Sequence, residues 1–393
     1  MRVRFVGGSA VLPADVLDDC TVTIEDGFIL GIGLDARPGE AEVHFEGRRM
    51  LPGLIDLHGD AIEKEVEPRP GAFFPFPLAL NSIDRRCVAA GITTAFHGIS
   101  FAHGEIGLRD TAIAAELARA LAGNAPHALC DARVHVRYEL TDAGSEPVIA
   151  ALIEEGVASL LSFMDHTPGQ GQFKDVAAYK AYFGKVYRRS DAELDAILSE
   201  KQAVAAGTLA RLERLSHLAR QHGIATAGHD DEGADRIELM AKAGASISEF
   251  PCNLETARLA RACGLATLFG APNVVRGKSL SGALSARDAI AAGVAACLCS
   301  DYAPQAMLPA VGLLVEEHGL NWPDAVRLVS AAPADAAGLS GRGRIEAGKR
   351  ADLLLVSGSG ASLRAESVWC RGREIFSAGG MMWNAAHSPG RRF

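Results

Sequence analysis

Several short polar runs in this chain stand directly behind apolar stretches, and their residue types suit a divalent metal. His58-Gly59-Asp60 follows LPGLIDL, Asp165-His166 follows LLSFM, His229-Asp230-Asp231-Glu232 follows IATAG, and Ser300-Asp301 follows AACLC. Glu139 closes one further run, ARVHVRYE. Imidazole nitrogens and carboxylate oxygens gathered from separate segments form the donor set of ions such as zinc or manganese. Residues two apart on an extended strand face the same way, so His58 and Asp60 can share one ion. An isolated histidine or aspartate is more often a cap or a solvated side chain. His58, Asp60, His229 and Asp301 escape that reading because they close apolar runs, where an unpartnered charge is costly. His97, His103 and His135 are read as interior packing or support, and the remaining histidines as surface residues.

Such residues act together only if the chain carries them to one place. Between about residues 51 and 340, apolar strand-like runs alternate with longer helical runs, the pattern of parallel βαβ units. Eight strands are read: Gly53–Leu57, Thr93–His97, Ala132–Glu139, Ala158–Met164, Ile224–Gly228, Ala245–Phe250, Thr267–Phe269 and Ala295–Cys299. Helical stretches such as Leu108–Leu121 and Ala192–Gln221 lie between them. Eight strand–helix pairs predict an α/β fold, a (β/α)8 TIM-like barrel, with a doubly wound open sheet as the alternative. In a barrel the polar strand ends converge on one mouth. Residues 168–191, rich in Gly, Lys and Tyr, read as a long loop over that mouth.

Both ends of the chain look different. Val3–Phe5, Cys20–Glu25, Phe28–Ile32 and Ala41–Phe45 read as short strands, with turns at Asp26-Gly27 and Glu46-Gly47. Ala351–Val356 and Ser367–Phe376 match them from the other end, the latter with Gly372 in a turn. Residues 1–50 and 341–393 are therefore assigned to a composite β-sandwich domain, and 51–340 to the barrel. The 393 residues, 48% hydrophobic and 22% charged, are ordinary for a soluble enzyme. A net charge of −9 without a basic cluster disfavours nucleic acid as partner. No run approaches the ~20 apolar residues of a membrane span, and the N-terminus reads as neither signal peptide nor anchor. The 8 scattered cysteines read as reduced thiols of a cytoplasmic protein. Composition leaves the oligomeric state open, a homo-oligomer included.

MLPGLIDLHGD resembles the first-strand motif of the amidohydrolase superfamily, and GRIEAGKRADLLLV at 343–356 resembles its returning β-domain segment. A closer resemblance rests on LPGLIDLHGDAIEKEVEPRPG, AAGITTAFHGISF, LSFMDHTPGQGQF, GHDDE and SDYAP. These are similar to the diphosphatases of the carbon–phosphorus lyase pathway. That subgroup hydrolyses a ribosyl 5-triphosphate that bears a 1-methylphosphonate to the 5-phosphate and diphosphate. The chain departs from the superfamily pattern in three places. The first motif is His-x-Asp rather than His-x-His, the sixth strand offers Glu249 and no histidine, and no lysine ends the fourth strand.

The resemblance implies two divalent ions, zinc with manganese or iron as alternatives. His58, Asp60, Glu139 and Asp301 would hold one ion. Glu139, His166 and His229 would hold the other, with Glu139 bridging as in the similar sugar-phosphate deacetylases. A metal lowers the pKa of bound water from ~15.7 toward ~7, and Asp301 beside that water would be the general base. A phosphorylated ribose, the small-molecule partner implied, needs cations around it. Lys64 and Arg69 follow the first strand, Lys174 lies in the long loop, and Arg276 follows the seventh strand. TPGQGQ at 167–172 offers backbone N–H groups to phosphate. The rival enzyme reading is a C–N hydrolase, a cyclic amidase or N-acyl sugar deacetylase, using the same centre on a carbonyl. A non-catalytic barrel subunit would require a broken ligand set.

Overall fold

The computed structural model describes residues 2–69, 71–102, 107–165, 176–177, 180, 190–204, 207–279, 282–379 and 383–384. Both ends of the chain build one nine-stranded sheet. From the N-terminal end come β1 (Arg2–Val11), β2 (Val16–Glu25), β3 (Phe28–Ile32), β4 (Ala41–His44) and β5 (Arg49–Pro52). The C-terminal end adds β14 (Leu353–Ser357), β15 (Arg364–Cys370), β16 (Arg373–Ser377) and β17 (Trp383–Asn384). Asp26 and Gly27 have φ of 49° and 89°, and Arg371 and Gly372 have 52° and 71°. Both pairs are two-residue hairpin turns with positive φ, which the strand twist favours. The second turn divides the expected Ser367–Phe376 stretch into two strands.

The sheet order runs β16-β15-β14-β5-β1-β2-β3, which puts three strand spacings, roughly 14 Å in a flat sheet, between β15 and β1. Yet the rings of Phe5 on β1 and Trp369 on β15 meet edge to face at 5.0 Å. The sheet therefore folds over on itself and closes around its own core of Val3, Phe5, Val22, Ile24, Leu353 and Trp369. Expectation from the sequence missed β5, because RMLP runs without a break into the apolar first strand of the barrel.

That barrel comprises β6 (Leu54–Gly59), β7 (Ile92–Phe101), β8 (Asp131–Glu139), β9 (Ala158–Met164), β10 (Ala225–His229), β11 (Ile247–Glu249), β12 (Ala266–Gly270) and β13 (Cys297–Cys299). All neighbours pair in parallel and in sequence order. The fold is the TIM-like barrel read from the alternation, not an open sheet. Helices cover its outside. Asp110 caps the helix Thr111–Asn124 by accepting from the backbone of Ala112 at 3.0 Å, and Asn253 caps Leu254–Ala262 in the same way. The helical stretch expected over 192–221 forms two helices, Asp191–Val204 and Thr208–Gln221. No helix among the described residues is long and apolar enough to cross a membrane.

The strand period of two sorts side chains between the helices and the interior. On β8, Ala132, Val134, Val136 and Tyr138 pack into the outer core, which turns His135, Arg137 and Glu139 inward. Ile55, Leu57, Phe96, Leu160, Ile247 and Leu268 fill the lower interior. The barrel closes at the seam between β6 and β13. The Asp301 N–H donates to the His58 carbonyl at 2.9 Å and the Asp60 N–H to the Asp301 carbonyl at 2.7 Å. Asp56, almost fully buried, braces this seam from beneath by accepting from the Ser300 N–H at 2.9 Å, the Ser300 hydroxyl, and the His58 N–H at 3.2 Å. The β6–β7 register shifts between Asp56 and Gly59. A shift of this kind re-aims a side chain, and here Leu57 joins the apolar floor while the adjacent His58 reaches the cluster above it.

Candidate metal centre

Above the apolar floor, the ends of β6, β8, β10 and β11 deliver a buried polar cluster. His58, His229 and Glu249 offer ligand atoms that all lie within 4.8 Å of one another. His58 and His229 stack, with ring centroids 5.3 Å apart and planes 15° from parallel. Glu249, fully buried, stands between the imidazoles: its Oε1 is 3.2 Å from His58 Nδ1 and its Oε2 is 3.0 Å from His229 Nδ1. His135 adds a third ring, 5.1 Å from His58, and its Nε2 lies 2.9 Å from the Ser162 hydroxyl. Phe250 walls the cluster, its ring edge-on to His58 and His229 at 5.0 and 5.5 Å.

Asp60 lies one turn above, with Oδ1 3.2 Å from His58 Nε2. Arg137 answers it from β8. One guanidinium nitrogen donates to both Asp60 oxygens at 2.9 and 2.8 Å, and the other lies 3.1 Å from His229 Nε2. The electrostatics of the pit follow from this crowding. Burial would raise Asp60, but Arg137 and His58 hold it well below the usual carboxylate range. Burial acts the same way on Glu249, and His58 and His135 likewise hold it well down. The His58 imidazole, which burial alone would make less basic, is driven up to about 10 by Glu249 and Asp60. Burial pushes His135 down to about 3 and lowers His229. Asp301 is raised to about 7, by burial first and then by the charge of Asp60.

A divalent ion fits this donor set. Two imidazoles and one carboxylate are the three protein ligands of many catalytic zinc sites, which keep a fourth position open. His58 Nδ1 and Glu249 Oε1 are buried and face each other at 3.2 Å without a hydrogen-bond partner. A buried ion pair whose geometry makes no hydrogen bond is better satisfied by a cation that both atoms can hold. Two carboxylates beside His58, Glu249 and Asp60 at 3.2 Å each, add negative charge that favours a cation here.

The expected site residues fall into four groups. His58, Asp60 and His229 come together in the cluster. Glu139 sits inward at the end of β8, buried and accepting from the Thr141 hydroxyl at 2.8 Å, and Asp301 caps the seam; both lie outside the three-residue group. Lys64, Arg69 and Arg276 are exposed on the segments that follow β6 and β12. His166, Lys174, His103 and the 167–172 run lie outside the described residues. Three cluster members carried a readable signal that was not used. In HVRYE, positions 135, 137 and 139 alternate, so a strand that turns Glu139 inward must turn His135 and Arg137 inward as well. Glu249 stood out as the only polar end of β11 and was read as a missing histidine rather than as a ligand.

The barrel with its terminal sheet and a histidine–carboxylate centre at the C-terminal strand ends is the setting of a hydrolase, and the matches make the chain one: it belongs to the amidohydrolase family. The family model matches residues 180–375. Over 336 residues the chain is 34% identical to the alpha-D-ribose 1-methylphosphonate 5-triphosphate diphosphatase of Escherichia coli (strain K12), covering 84% of this chain and 89% of that protein. Among solved structures, a Xaa-Pro dipeptidase with bound methionine in the active site is similar at 14% identity and TM-score 0.66, over 95% of this chain and 99% of that one. An N-acetyl-D-glucosamine-6-phosphate deacetylase from Mycobacterium smegmatis matches at 17% identity and TM-score 0.60, over 96% and 100% of the two chains. At those identities the structures speak for the fold alone.

Proposed function

We propose that the chain hydrolyses a phosphoanhydride, cleaving alpha-D-ribose 1-methylphosphonate 5-triphosphate to the 5-phosphate and diphosphate. The observation that carries this reading is the 34% identity to the Escherichia coli enzyme of that name across 84% of the chain. No disulfide joins the eight cysteines, which supports a reducing compartment such as the cytoplasm.

His58, His229 and Glu249 would hold a divalent ion, with Asp60 and Asp301 above them and Glu139 as a further carboxylate at the mouth. When bound, such an ion supplies an acidified water and neutralises charge on phosphate oxygens. Asp301 accepts the proton of the attacking water and returns one to the leaving diphosphate. Asp301 suits this role by position: its backbone, on the turn that follows the eighth barrel strand, pairs with that of His58 and Asp60, and its carboxylate feels the charges of Asp60 and His58. Phe250 and the apolar floor keep bulk water from beneath the cluster, which strengthens its electrostatics. Exposed Lys64, Arg69 and Arg276 are the described cations proposed to meet the phosphates. The test is diphosphate release from the ribosyl triphosphate compared with nucleoside triphosphates and N-acyl sugars. Turnover of N-acyl sugars with no diphosphate from any triphosphate would replace this reading with that of a C–N hydrolase.

A further inference from the structure

His229 has two ring nitrogens, and both are in use. Arginine carries only donors, so the Arg137 contact at 3.1 Å requires an acceptor lone pair on His229 Nε2. The ring proton is then on Nδ1, donated to Glu249 Oε2 at 3.0 Å. His229 in this state has no lone pair left for an ion. If it binds an ion through Nε2, Arg137 must leave that nitrogen. If it binds through Nδ1, the proton moves to Nε2, and two donors then face each other across the former contact. Either route breaks the Arg137–His229 hydrogen bond.

The same guanidinium also holds both oxygens of Asp60, at 2.9 and 2.8 Å. Arg137 itself is 7% exposed, on a barrel strand. Its charge lies between Asp60 and His229, where a cation is most wanted. We propose that Arg137 is an internal competitor for the metal: it holds the centre together in the metal-free chain and releases His229 when an ion binds. The inference rests on the metal-centre part of the functional reading and does not depend on the substrate.

The experiment compares metal-free wild type with Arg137→Met and Arg137→Lys, using zinc competition against a chromophoric chelator and thermal melts without metal. Charge-assisted hydrogen bonds are lost to the ion in wild type alone, so Arg137→Met should bind zinc roughly tenfold to a hundredfold tighter. Its metal-free form should melt lower, with the deficit removed by saturating zinc. Arg137→Lys keeps the charge but cannot serve Asp60 and His229 together, so its affinity should fall between the two. In wild type, nitrogen NMR of His229 should show Nε2 as acceptor without zinc and lose that signature when zinc is added. An Arg137→Met protein that binds zinc no tighter than wild type overturns the proposal, as does a His229 signal that zinc leaves unchanged. If Arg137→Met fails to fold, the Arg137→Lys affinity and the wild-type NMR still decide. A wild-type chain that binds no zinc overturns the metal-centre reading itself.

Discussion

Asp301 adopts a left-handed backbone with φ of 54°, as do Asp230 and Phe250 at 52°. Such conformations cost a non-glycine residue about 1 kcal/mol or more and concentrate at functional sites. All three follow barrel strands at the mouth, so backbone strain is stored where the polar side chains are aimed. For Asp301 this separates chemistry from binding. Asp301→Asn keeps the shape and the backbone seam but cannot take a proton. Its kcat should fall at least ~100-fold with metal content retained, read by diphosphate release alongside metal analysis. Glu249 acts on the other quantity. Glu249→Gln removes the charge that His58 and His229 both face, and metal affinity should drop by roughly a hundredfold or more. Glu139→Gln in the same assay weighs the two carboxylates: a bridging Glu139 loses as much metal as Glu249→Gln, and a peripheral one loses little.

At the scale of elements, all eight barrel strands were legible because a buried parallel strand is a plain apolar run, and most runs here end in a polar residue. What escaped reading was local geometry. The register shift in β6, which lets Leu57 and His58 both face inward, breaks the period of two from which side-chain direction is inferred. Arg137 escaped because a charged residue inside a strand is assigned to a solvated face unless its partners are known, and Asp60 and His229 are 77 and 92 positions away. The seam brace is of the same long-range kind. Asp56 and Ser300 are 244 residues apart, yet they join the first strand to the last. Asp56→Ala would leave three donors without an acceptor, a loss of about 3 kcal/mol or more by urea denaturation. The same change should slow turnover, because the braced backbone carries His58 and Asp301.

For the whole molecule, we propose that residues 1–50 with 341–393 and residues 51–340 fold as two units joined by a partly buried ionic knot. Asp131, at the start of β8, pairs with Arg342 and with Arg350 at 3.1 Å, and both arginines also reach the Thr94 hydroxyl. Burial alone would raise this carboxyl, but Arg133 and Arg342 hold it well below its ordinary value. A depressed carboxyl stabilises the fold above the unfolded aspartate pKa of about 3.9 and loses that contribution as pH falls further. Thermal stability should therefore decline from about pH 5 downward. Asp131→Asn should cost about 3 kcal/mol at pH 7 and flatten that acid decline, a difference that melts across pH would reveal. The apolar floor has a consequence for traffic. Ile55, Leu57, Phe96, Leu160, Ile247 and Leu268 are at most 1% exposed, and they plug the barrel beneath the histidines. Reactant and products must then share one doorway, so the order of departure matters. Whichever product lingers longest at the mouth becomes an inhibitor of the next encounter.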